Sequence, residues 1–442
     1  MDASLSVERI AAMRADFAAD PTNKLSQNAL TRTSLHDVAA DHAVLTAIDP
    51  AVSHHLDDWK VTNQKRSGRC WMFAGLNLLR PQAMKAMNLK DFEFSQNYTL
   101  FFDKLERANY FLEAVIDLAA ADEDDRTFAH VLRTAADDGG QWNMFVALVA
   151  KHGLVPKSAM PETHSSSATA EMNTVLRSIL RGAARRLRAA SAGGADAASL
   201  RAVKDEVLET VHKVLCMHLG TPPTEFVWQW KDKDDQFHRD GVLTPREFAD
   251  KYVSLPLSEY VCLVHDPRNP YGQTYTVDRL GNIVDGPEVV YLNVDIDVIR
   301  QATADTIVSG EPVWFGCDVA PQGHRDQGVW DAKLFDYGAL YGAEYPLDKA
   351  ERLRYQETAM THAMLFTGVD LVDGAPGKWR VENSWGDGNG ASGYYTMMDS
   401  WFGEYVFEVA VHRSRLSAEV LAGLDTAPIT LPAWDPMGSL AR

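Results

Sequence analysis

The feature that narrows the fold most is a change of hydrophobic period along the chain. From Phe92 to about Leu219 apolar residues recur three and four apart, as in "NYTLFFDKLERANYFLEAVIDLAA", the spacing of amphipathic helices. From Tyr260 onward, β-branched and aromatic runs between Gly and Pro punctuation take over: "YVCLVHDP", "EVVYLNVDI", "EPVWFGCDV", "AMLFTGVDLV", "KWRVENSWG" and "GYYTMM". Helices gathered in one part and strands in another predict an α+β protein rather than a regular βαβ alternation. No long period repeats, which argues against a solenoid or propeller.

Local signals fill in the organisation. "VERIAAMRADF", Val7 to Phe17, reads as a helix within an N-terminal arm that ends near "IDPAVSHHLDDW". "CWMFAGLNLL" starts an apolar helix at Cys70, which Pro81 should end or kink. "SSSATAE" and "SAGGADAAS" read as loops or helix starts, the second offering Ser199 as a cap for "LRAVKDEVLETVHKVLCMHL". From Ala422 the chain shows neither period and reads as an irregular tail, although "LPAWDPM" is too aromatic and too proline-stiffened for an ordinary solvent-facing end.

Charge sets the partner classes. Sixty-one acidic against 43 basic side chains give a net charge of −18, which opposes attraction to nucleic acid or to an anionic membrane. No apolar run is long enough to span a bilayer, and the N-terminus lacks a signal-peptide pattern. The four cysteines, Cys70, Cys216, Cys262 and Cys317, are too sparse for a disulfide framework, so a reducing cytoplasm is expected.

The chemistry concentrates around Cys70. A thiol attacks carbonyl carbon as its thiolate, which a helix N-terminus and a nearby imidazolium favour. Cys70 follows the turn residues Ser67 and Gly68 and opens an apolar helix, so its sulfur should sit in the first turn; a buried, inert thiol is the alternative. Gln64, in the preceding loop, offers an amide N–H as an oxyanion donor. His362 opens an apolar strand-like run after a polar loop and is the best placed base, a core histidine being its alternative. Asn383, ending another such run, can accept the imidazole N–H and fix its tautomer, with Trp385 covering that bond.

Other signals are weaker. His212, Cys216 and His218 do not converge on one helical face, so no metal is expected there. "DKDDQFHRDGVL" starts like a calcium loop from Asp232 but has Phe237 where the glycine belongs and Leu243 where the closing glutamate belongs. Arg177, Arg181, Arg185 and Arg188 form one helical stripe, read as a solvated face or a subunit contact in preference to a nucleic-acid site.

In the order Gln64, Cys70-Trp71, His362, Asn383-Ser384-Trp385-Gly386, the chain resembles the papain-like cysteine peptidases. It departs from papain in reading "SGRCW" around the cysteine, and in separating Cys70 from His362 by 292 residues, about twice the usual distance. The extra length is the helical block, and it points to the bleomycin hydrolase and aminopeptidase C family. "QKRSGRCWMFAGLN", "EFSQNYTLFFDKLERANYFLE", "DGGQWNM", "HRDGVLTPREFADKYV", "HDPRNPYG", "MTHAMLFTGVD", "KWRVENSWG" and "PAWDPMGSLA" carry that resemblance over nearly the whole length.

The resemblance implies a papain-like core with a large helical insertion and an N-terminal arm: an arm or hook over 1–58, core with the nucleophile helix over 59–100, insertion over 101–255, the sheet part of the core with His and Asn over 256–421, and a C-terminal arm in the cleft over 422–442. It implies Cys70 as nucleophile, His362 as general base and acid, Asn383 as orienter, and Gln64 with the Cys70 backbone N–H as oxyanion hole. It further implies a cofactor-free aminopeptidase acting on short peptides with a free N-terminus, with bleomycin-like amides as a side substrate, assembled as a homohexamer. The terminal carboxylate would hold the substrate amine; it belongs to Arg442, or to Ala441 if the chain trims its last residue as some members do. The competing reading is a non-catalytic or nucleic-acid-binding barrel on the same scaffold.

Overall fold

The computed structural model describes residues 3–442. The helix that opens at Cys70, Cys70–Ala86, lies at the centre, with twelve buried residues around its circumference. Pro81 sits inside it and does not end it; of the expected end or kink, the end does not occur, and the helix runs on to Ala86. Proline removes one N–H, and the turn is held from outside by Arg80, which donates to Lys60 O at 3.0 Å and to Asp91 at 2.7 Å. Gly75 lets the Trp142–His152 helix approach: a Cβ there would lie 2.7 Å from the Phe145 ring.

Gln96–Asp117 packs against this helix, and Ala170–Ala192 and Ala197–Leu219 pack on Gln96–Asp117 in turn, their buried faces joining the same core. The last of these is capped by Asp196, which accepts from Ser199 N, so Ser199 is inside the helix and not its cap. The helical stretch is followed by an antiparallel hairpin, Phe226–Lys231 with Phe237–Leu243, which the sequence reading missed. Its alternating Phe226, Trp228 and Trp230 were the available signal. The failed calcium motif is its turn, where Asp232 accepts from Asp234 N and Gln236 N at 2.9 Å each.

Among the described residues the main sheet has 12 strands, mostly antiparallel. At its centre Val313–Cys317 lies between Val406–His412 and His362–Val372, with His362 opposite Cys317. Both faces of these strands are covered, which is why they read as continuous apolar runs. Along one strand Ala363 and Leu365 enter the core shared with the Cys70 helix, while Met364 and Phe366 enter a second core against the Ile296–Val308 helix. The tail is less irregular than its sequence suggests, since Ile429–Leu431 adds a parallel strand beside Gln273–Val277.

One core carboxyl lacks a charge partner. Glu408 is buried, its Oε1 has no hydrogen bond, and burial pushes its carboxyl up to about 8, slightly opposed by Cys262. The folded chain therefore keeps a proton that the unfolded chain releases near 4.5. Stability from this group is full below that value and is lost as pH rises to about 8. Glu408→Gln should flatten the fall in unfolding midpoint across that window; parallel pH profiles for variant and parent would refute the assignment.

Candidate active site

Cys70 is the first residue of its helix and is fully buried. Arg69, at the cap position, makes no side-chain hydrogen bond to the first turn and turns away to pair with Glu162 through its Nη1 and Nη2 at 2.9 and 2.8 Å. The first-turn N–H groups therefore remain for the sulfur or for a ligand beside it. Ala363 N, the residue after His362, approaches Cys70 Sγ at 3.4 Å, which brings the strand opening and the helix start together.

His362 Nε2 meets Asn383 Oδ1 at 3.0 Å, leaving the other ring nitrogen unengaged by that amide. Trp385 covers the pair, its ring centroid 4.9 Å from that of His362, and Arg325 lies 4.5 Å over the indole. Gln64 is oriented from both ends: its Nε2 donates to Ser67 O and its Oε1 accepts from Ser384 Oγ, each at 2.6 Å. Main-chain bonds Gln64 N to Ser384 O (2.8 Å) and Gly386 N to Thr62 O (3.0 Å) join the Gln64 loop to the segment following Asn383. Gln64, Cys70, His362, Asn383 and Trp385 thus form one cluster, and one N–H of the Gln64 amide is free of the Ser67 bond.

The tail enters this cluster. Arg268 pairs with Asp435 at 2.7 Å, Arg126 lies 3.9 Å over Trp434, and Gln141 Nε2 donates to Ser439 O at 2.6 Å. Ala441 then pairs with Gly140 in both directions, at 3.0 and 3.3 Å, and Arg442 N donates to Thr361 O at 3.0 Å. Gly68 and Gly139 are required here, since a Cβ on either would lie 2.8 or 3.1 Å from Arg442 Cβ. The motifs "DGGQWNM" and "MTHAMLFTGVD" carry these backbone partners, Gly140 and Thr361, whose main-chain groups leave no signal in the sequence. Asp138 braces the loop by accepting from Gly68 N at 3.1 Å. Burial would raise its carboxyl, but Lys104, Thr169 and Asn173 outweigh it and hold it well below the usual range.

Burial disfavours the charged form of both Cys70 and His362. Burial pushes the Cys70 thiol up to about 12 against backbone N–H groups of Ala363, Trp71 and Cys70. Burial likewise pushes His362 down to about 4, opposed by Asn383 and the Arg442 backbone. Both shifts have solvent exclusion as their largest cause, so admitting water removes it for both groups.

Elsewhere, His212 and Cys216 approach to 3.8 Å while His218 bonds Ser165 instead, and among the described residues no three His, Cys, Asp or Glu side chains gather as metal ligands. On the arginine stripe, Arg181 and Arg188 donate to the carbonyls of Leu132 and Ala121, so half of it is engaged within the chain.

Residues 4–438 match the model of the peptidase C1-like family. The chain is 42% identical to "Aminopeptidase C" of Listeria innocua, covering 100% of both chains, and 42% identical to "Bleomycin hydrolase" of Homo sapiens, covering 99% of both. Among solved structures, PepW from Lactobacillus rhamnosis superposes with a TM-score of 0.97 at 42% identity, over 100% of both chains.

Proposed function

This chain belongs to the peptidase C1-like family, and on that premise we propose how its own residues carry out the reaction of a cysteine-type aminopeptidase. The fold is the α+β, papain-like one, and the activity is hydrolysis of the amide after the first residue of a peptide. The observation that supports the reading most is the convergence of Cys70, His362, Asn383 and Gln64 at the end of a cleft filled by the chain's own C-terminus.

In the proposed mechanism Cys70 Sγ attacks the carbonyl carbon of the first residue. The free Gln64 N–H and the Cys70 backbone N–H hold the developing oxyanion. His362 takes the thiol proton and gives it to the leaving amine, and water activated by the same ring then hydrolyses the thioester. Asn383 fixes the ring, and Trp385 keeps water from their bond.

Exopeptidase action follows from the tail. Ala441 and Arg442 bind as a peptide would, with main-chain bonds to Gly140 and Thr361 and the Arg442 backbone beside His362. While Arg442 is present it occupies the place of a substrate's first residue. Once it is removed, the Ala441 carboxylate would stand one residue back from Cys70 and pair with the substrate ammonium. A chain ending at Ala441 is expected to release aminoacyl-fluorophore amides without a lag. Its Cys70 should react with iodoacetamide at neutral pH about tenfold or more faster, the effect of one unit of thiol pKa. Equal alkylation rates in the two chains would exclude Arg442 as the cover.

The arm over 1–58 and the 101–255 insertion fit a homohexamer that encloses the sites, with short peptides as substrates and bleomycin-like amides as a side reaction. Support comes from the Val7–Ala19 helix, where Val7, Ile10, Met13 and Phe17 stand exposed at helical spacing on an element without buried residues. A cytoplasmic location is supported by four free cysteines, as a reducing compartment keeps them.

A further inference from the structure

We infer that Glu382 is a positioning residue for the reaction, its buried carboxylate tying together the three segments that carry Cys70, Gln64 and Asn383; this rests on the roles proposed for those residues. Glu382 ends the Ala375–Glu382 strand and is the residue before Asn383. Its Oε1 accepts from Asn77 Nδ2 and its Oε2 from Trp59 Nε1, each at 2.9 Å. Asn77 belongs to the Cys70 helix, seven residues on from Cys70 and therefore on the same face two turns later. Trp59 stands five residues before Gln64, and Asn77 reaches the same segment again by donating to Thr62 Oγ1 at 2.8 Å. The Tyr394 hydroxyl holds Trp59 in turn, donating to its carbonyl at 2.8 Å.

The network accepts a carboxylate and rejects an amide. Arg80 Nη1 donates to Asn77 Oδ1 at 3.2 Å, and a guanidinium has no acceptor, so the Asn77 oxygen faces Arg80 and its nitrogen faces Glu382. An indole N–H is likewise only a donor. Two donors therefore converge on Glu382, and all three side chains are buried. A glutamine at 382 could accept from one of them and would turn its own N–H groups on the other, breaking the tie to the helix or to the loop. Burial raises the Glu382 carboxyl to about 7; Arg80, the Trp59 bond and Arg380 oppose this and Glu93 adds to it, so the group is ionised in assays at about pH 8.5.

The test moves the charge across the bond. In Glu382→Gln combined with Asn77→Asp, the carboxylate at 77 accepts from the amide at 382, from the Thr62 hydroxyl and from Arg80, while the amide oxygen at 382 still accepts from Trp59. Each single substitution in the full chain should lower kcat, counted per Cys70 alkylated at completion, about tenfold or more, with KM changed less than about twofold, because the reacting groups are misaligned and no substrate contact is lost. The double variant should return kcat to within about threefold of the parent. The rate of Cys70 labelling by iodoacetamide, which needs no substrate, should fall and recover in the same order. A purely structural role would reduce the amount of folded chain and leave kcat per site at the parent value; that result, or a double variant no faster than the single ones, overturns the inference. Should the single variants not fold, Trp59→Phe, which withdraws only the loop-side bond, takes their place: its kcat per site should fall, and equality with the parent overturns the inference. If the parent releases no amino acid, the aminopeptidase reading falls, and the labelling rates alone decide the role of Glu382.

Discussion

Replacing Cys70 with alanine is expected to lower the release of aminoacyl-fluorophores by at least about 10⁴-fold, the scale of losing a nucleophile whose partners cannot act without it. The sulfur is the atom that the helix start and Ala363 N both face, and neither His362 nor Gln64 can form an acyl intermediate in its absence. The substitution removes one buried sulfur from a well-packed position and leaves the His362–Asn383 bond intact, so the variant should stay folded. Its unfolding transition checks this directly. Release that persists in Cys70→Ala, or that survives alkylation of the parent, would show that the chemistry lies elsewhere.

Deleting Pro432 to Arg442 should convert strict dependence on a free amino terminus into cleavage within peptides. N-acetylated peptides, uncut by the parent, should be cut at rates at least about 10²-fold above its background, because exclusion of longer chains is steric and is removed entirely. The segment fills the cleft with buried Met437 and Ala441 and occupies the main-chain bonding groups of Gly140 and Thr361, both of which a bound peptide would need. It is held by Arg268 and Gln141 and gives Met437 and Ala441 to the edge of the first core, while the second core contains none of its residues. If Cys70 in the shortened chain is alkylated readily and N-acetylated peptides still remain intact, the tail is not the gate.

Both experiments depend on features that differ in how they are written into the chain. The change of period near residue 220–260 is local and repetitive, so helix and strand regions could be read directly. Exceptions arise where tertiary packing overrides a local rule. Pro81 stays inside its helix, beside an Arg80 bonded to Lys60 O and Asp91. Asp196 caps in place of Ser199 because its carboxylate reaches the Ser199 N–H at 2.8 Å. The Phe226–Leu243 hairpin was hidden by a turn whose acids imitate a calcium loop.

The same division runs through the site. Side-chain identity, order and spacing are properties of the sequence, and Gln64, Cys70, His362, Asn383 and Trp385 were named from them alone. What only the tertiary structure decided is how they are held: the Ser384 and Ser67 clamp on Gln64, the Arg442 backbone beside the buried His362, and the Gly140 and Thr361 bonds that seat the tail. The bonds that seat the tail, like those joining the Gln64 loop to the segment after Asn383, run between main-chain groups roughly 80 to 320 residues apart. Every residue except proline carries the same backbone donor and acceptor, so such bonds leave no mark in the sequence until folding brings the two segments together.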